Sequence, residues 1–234
     1  MISNITGKKI VLIVSIALVM VLVCISTIFA LPTIRENNRN KEMQETVDNL
    51  TANWGKAMSN DISILSSSNP TVYLNLPEFK KIKDLGPEYL PYIIKEIENE
   101  NQILAWGMGD NTKAKINEQW ETSEQWLSLW NKHLENLPDK FNEIKESIKN
   151  DKSEKNLNKQ KVELMNLGLP ALPYILDSID TDNKDDSIEK IMQEATREIL
   201  SDKEVKLPKE SNSDNWKSIT SDLKDKYSKL KEMG

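Results

Sequence analysis

The sequence predicts an all-α protein in which an N-terminal transmembrane helix precedes a duplicated helical bundle. Three observations carry that reading. The chain opens on a long apolar run, its later hydrophobic residues recur at spacings of three and four, and one nine-residue pattern occurs twice. That pattern is "LGPEYLPYI" from Leu85 and "LGLPALPYI" from Leu167, identical at six positions. The implied organisation is a short tail (1–9), a membrane helix (10–31), an amphipathic connecting helix (32–68) and two helical units (69–150 and 151–234).

The apolar run extends from Ile10 to Ile34 without a charged residue. As a helix, Ile10 to Leu31 would span about 33 Å, enough for a hydrocarbon core of about 30 Å. Pro32 is a suitable stop. A secretory signal has a shorter apolar stretch of about 7–15 residues, so the length favours a retained signal-anchor, while cleavage near Ala30 would release a secreted body. Lys8 and Lys9 before the run nearly balance Arg35, Arg39 and Lys41 after it. The short leading tail favours N-inside topology, a single-pass protein of the cell membrane with its body extracytoplasmic.

Charge and cysteine content exclude several functions. Without Lys8 and Lys9 the 31 basic side chains fall to 29 against 37 acids, so a net charge of −6 becomes −8. An acidic body with lysines interspersed among glutamates argues against nucleic-acid binding. The sole cysteine, Cys24, lies inside the apolar run, which leaves the body without a disulfide or a Cys-ligated metal. Leu22 and Val23 before it are not the small residues that lipid attachment requires.

Beyond the membrane segment, Met43, Val47, Leu50, Trp54, Met58, Ile62 and Leu65 form a helical stripe over 41–66. It would dock on its own domain or zip against a second copy. "SSSNP" ends it, because Pro70 holds Asn69 out of helical geometry. "PEFKKIKDLG" (77–86) then reads as a short helix closed by Gly86 in a left-handed conformation. In the following helix Pro91 is tolerable only in the first turn. Leu90, Ile93, Ile94 and Ile97 would be its buried face. The second copy repeats the grammar with Gly168, Pro173 and an inner face of Leu172, Ile175, Leu176 and Ile179. Tyr92 and Tyr174 occupy matching places.

A second repeated element follows. "SEQWLSL" (123–129) and "SDNWKSI" (213–219) align Trp126 with Trp216, and Ser123 and Ser213 read as N-caps. The corners recur at an offset of 82 and the Trp motifs at 90, which implies an insertion of eight within "SDKEVKLPKESN". Two motifs in the same order point to internal duplication.

The runs "LGPEYLPYIIKEIE" and "LGLPALPYILDSID" resemble the helix-turn-helix corner of HEAT-type repeats. They are also similar to membrane-anchored HEAT-like proteins of Gram-positive bacteria, a likeness covering roughly residues 66–234. The resemblance implies protein binding or scaffolding with no shared catalytic set. The two units here exceed eighty residues each, against about 40 for a HEAT unit, so a compact helical pair is expected rather than a long solenoid.

No constellation for chemistry emerges. His133 is the sole histidine, "GxSxG" and HExxH patterns are absent, and "DTDNKDD" (180–186) lacks the glycine and distal glutamate of a calcium loop. His133 itself reads as a surface or capping residue. Neither metal nor cofactor is expected, and no enzyme. Trp126 and Trp216 are accounted for by their matched positions. Trp106, Trp120 and Trp130 have no partner in the second unit, where Thr220 replaces Trp130, and core filling competes with function as their explanation. "WGMGD" (106–110) reads as a mobile glycine turn. Trp106, Trp120, Trp130 and His133 are therefore the candidate partner-binding residues, with another protein as the expected partner. A cell-envelope glycan and a homodimer through the membrane-proximal helix are the alternatives.

Overall fold

The computed structural model describes residues 36–61, 66, 69–99, 101, 103–116, 118–180, 186–201, 205–208 and 213–233. Among them every regular element is helical and there is no strand. No helix there is long and apolar enough to cross a membrane; the run 10–31 expected to do so lies outside the described residues, as do Ile62, Leu65 and residues 181–185.

The chain forms two compact units, Met1–Thr46 and Val47–Gly234. In the first, residues 36–46 are helical and carry an exposed Lys41–Glu45 ion pair of 3.7 Å. In the second, residues 47–60 form helix α1. Val47 and Trp54 are fully buried in this unit's core, and the Trp54 Nε1–H donates to the Tyr73 carbonyl at 3.0 Å. The stripe over 47–58 thus docks on its own unit, which belongs to the bundle and is not a separate connector. Asp61 is already outside the helix.

Helices α2 (Pro70–Leu74) and α3 (Pro77–Lys83) follow. Asn69 is extended, as Pro70 requires, and its Oδ1 accepts from the Thr71 N–H at 3.0 Å. The first corner is a 3₁₀ turn, Pro87–Tyr89, leading into α4 (Leu90–Glu98). Helix α5 (Leu104–Met108) is short, and α6 (Ser123–Asn150) is the longest element among the described residues. Its buried positions, Trp126, Trp130, Leu134, Leu137, Phe141, Ile144 and Ile148, recur every three or four residues. It packs against α7 (Glu154–Leu167). The second corner is the 3₁₀ turn Leu169–Ala171 leading into α8 (Leu172–Asp180). Helices α9 (Asp186–Ile199) and α10 (Ser213–Tyr227) both pack on α8, and the 3₁₀ segment Ser228–Met233 follows α10.

The two corners are built alike. Each is a three-residue 3₁₀ turn and a nine-residue helix with proline second, Pro91 or Pro173. The expected inner faces, Leu90, Ile93, Ile94, Ile97 and Leu172, Ile175, Leu176, Ile179, are all buried, while Tyr92 and Tyr174 lie half-buried against the core. At about 1.5–3 kcal/mol per fully buried aliphatic side chain, these faces are a main source of cohesion. The segment Ser228–Met233 packs against both α4 and α8. Lys226 pairs with Glu88 of the first corner at 3.1 Å; Lys224 and Lys231 pair with Asp177 of the second at 3.2 and 3.3 Å. One continuous core, from Val47 to Leu230, serves both halves.

Two local expectations are corrected. Gly86 is not left-handed: its φ is −65° and α3 ends on Asp84 in ordinary αR geometry. A Cβ on Gly86 would instead stand 2.3 Å from the Glu88 carboxylate, which folds back over it. Gly168, unlike Gly86, has positive φ, +74°, and a Cβ there would stand 2.4 Å from the Ala114 backbone nitrogen. Ser123 is not the N-cap of α6; Thr122 is, in a capping box with Gln125, and Ser123 is the first helical residue.

Candidate functional site

The structure separates the unmatched tryptophans. Trp126, Trp130 and His133 lie one, two and nearly three turns along α6 as a stacked ladder, with ring centroids 5.5 and then 5.9 Å apart. Trp126, Trp216 and Trp130 are all fully buried. Trp130 therefore cannot anchor a partner and is corrected to a core residue; its counterpart Thr220 is equally buried, so the position is internal in both halves.

Trp106 and Trp120 behave differently. Their rings meet at 4.4 Å between centroids, tilted by 52°, and Trp106 on α5 remains 39% exposed. Trp120 lies partly buried against the core and supports it. Trp106 and Val162 are the exposed large hydrophobic residues among those described. Gly107 is inside α5, not in a mobile turn, and a Cβ on it would stand 2.0 Å from the Phe79 ring. Close packing of α5 on Phe79 thus fixes the platform from which Trp106 projects.

His133 is placed by the second corner. The last carbonyls of a helix lack intrahelical donors. At the end of α7, the Met165 carbonyl accepts from the Gly168 N–H at 3.0 Å and the Asn166 carbonyl from the Lys115 N–H at 2.8 Å. The Leu167 carbonyl lies 3.0 Å from His133 Nε2. A carbonyl can only accept, so Nε2 carries the proton, and in the neutral ring Nδ1 is then the free acceptor. His133 is thus a capping histidine acting across elements. Burial lowers its pKa; the Leu167 hydrogen bond opposes this and nearby Lys140 adds to it.

Beside His133 is a cleft of about 400 Å³ between α6 and α7, floored by Ile144 and Leu167. A second cavity of about 130 Å³ adjoins it towards Glu118 and Lys132. Lys115, His133 and Lys140 line both. Among the described residues no group of three His, Cys, Asp or Glu side chains is placed to hold a metal ion.

Comparison with protein-family models, curated proteins and solved structures finds no match. The site stands on its own geometry. Sequence reasoning reached Trp106, Trp120 and His133 and missed the lysines. Lys140, seven residues after His133 on one helix face, was open to a spacing argument. Lys115 was not, since only the packing of segment 112–116 on the second corner brings it there.

Proposed function

We propose that this chain is a non-enzymatic, membrane-tethered interaction module that docks a protein partner on the Trp106–Trp120 face. The observation that carries the reading is the exposed Trp106 ring braced by Trp120 on a rigid helical platform. Large amphipathic rings on pre-formed surfaces are the usual anchors of protein interfaces. The apolar run 10–31 supports a single-pass anchor with the body outside the cytoplasm. The HEAT-like corner sequences support a scaffold role, and their shared build agrees with a duplicated bundle.

The test is crosslinking of the full-length protein in its host, with wild type, Trp106→Ala and Trp120→Ala compared. The expected result is a defined protein adduct lost in Trp106→Ala at unchanged helicity and expression. An adduct undiminished in both variants overturns the docking face. Retention on purified cell wall that depends on Trp106 would reassign the face to a glycan, and full protease resistance of the body in intact cells would reverse the topology.

A further inference from the structure

We infer that the cleft beside His133 is a binding site for a small oxyanion-bearing molecule, with its phosphate or carboxylate group held between Lys115, Lys140 and His133. The three side chains are the ones common to the two adjoining cavities, so they surround the junction where a ligand spanning both would be gripped. Lys115 and Lys140 have no ion-pair partner among the described residues, whereas the neighbouring Lys132 is held by Glu118 at 3.3 Å. That pairing also engages Glu118, the carboxylate that lines the smaller cavity.

The end of α7 brings negative potential to this place, which would oppose an anion. Its Asn166 and Leu167 carbonyls are, however, each taken by an N–H donor, from Lys115 and His133. His133 keeps Nδ1 free, and a bound anion there would favour a proton on it, turning the acceptor into a donor. The cleft volume falls in the range of small-molecule sites, larger than an inorganic anion alone needs. Further along it Glu143 and Ser147 of α6 face Lys159, Gln160 and Glu163 of α7, a mixed polar wall suited to the hydroxyl or amine groups of a larger ligand. The charged groups around His133 are therefore Lys132, Lys140 and Glu143 on its own helix, Lys115 and Glu118 on the preceding segment, and Lys159 and Glu163 on α7.

Because His133 is the only histidine, its ring proton resonances report on the site without assignment ambiguity. The experiment titrates inorganic phosphate into the full-length, tag-free chain in detergent micelles, with sodium chloride at matched ionic strength as control. The expected result is a saturable shift of the His133 resonances and a rise in its apparent pKa. Lys115→Met/Lys140→Met should weaken that response about tenfold or more; both lysines are exposed, and circular dichroism checks the fold. A response matching chloride, or one unchanged in the double variant, overturns the site. A parallel acetate titration sorts the ligand: a response to both anions marks a general oxyanion site, and a response to phosphate alone marks a phosphate ester.

Discussion

Gly86 and Gly168 hold the same place in two runs that share six of nine residues, yet their φ angles are −65° and +74°. At Gly86 the atoms nearest an added Cβ belong to the carboxylate end of the Glu88 side chain; at Gly168 they are backbone atoms of Thr112 and Ala114. With ψ at −162°, Gly168 occupies a region that residues with Cβ rarely enter, at a cost of about 1–3 kcal/mol before any clash. Gly168→Ala should destabilise the protein by about 3 kcal/mol or more, and Gly86→Ala by under about 1 kcal/mol. Urea unfolding of both variants measures the difference, and equal losses would refute the assignment of distinct roles.

Burial separates Trp130 from Trp106. Removing the fully buried Trp130 ring leaves a cavity, so Trp130→Ala should cost about 3–5 kcal/mol. Trp106→Ala, at a residue 39% exposed, should cost under about 1.5 kcal/mol. Thermal unfolding of the two variants tests the contrast directly.

His133 makes stability depend on pH. Its pKa is depressed below 6.5 in the folded state, mainly by burial, so the unfolded chain binds a proton more readily. The associated stability is complete above pH 6.5 and is lost as pH falls from there through the lower folded value. Denaturant midpoints measured between pH 7.5 and 5 should decline in wild type and decline less in His133→Gln. Parallel profiles would show that the ring is not desolvated.

Tyr227 is buried beside Glu88, and among the described residues neither its hydroxyl nor Glu88 Oε2 has a hydrogen-bond partner. Burial, reinforced by the Glu88 charge, raises the phenol above its ordinary value of 10.0. A raised folded pKa means that stability is present below pH 10 and is lost as pH rises beyond it. Ultraviolet titration should show one tyrosine ionising only with alkaline unfolding, and that phase should vanish in Tyr227→Phe. Since the lost hydroxyl is unsatisfied, Tyr227→Phe should leave stability unchanged or raise it by up to about 1 kcal/mol.

Local chemistry made much of the fold legible. Spacings of three and four placed all eight inner-face residues of α4 and α8, and proline tolerance located both corner helices, because each depends only on the helical period and on a missing N–H. Caps were less legible. Thr122 and Ser123 are both competent, and the capping box with Gln125 selected the former. The Gly86 error has a related cause: a glycine permits a left-handed turn without demanding one. Trp130 was misplaced because absence from the second copy says nothing about burial, and Thr220 is as deeply internal.

By itself the sequence determined the helical class, the two corners and the residues that face inward from them, since hydrophobic period and backbone restriction act over a few residues. Only the tertiary structure decided that residues 47–60 join the bundle, that Trp106 stays outside while Trp130 goes inside, and that Lys115 comes to stand beside His133. Those outcomes depend on which distant segments meet, as when segment 112–116 covers the Cβ-free face of Gly168 and caps the end of α7. Competition among surfaces for one shared core settles such meetings, and no short stretch of chain contains both competitors.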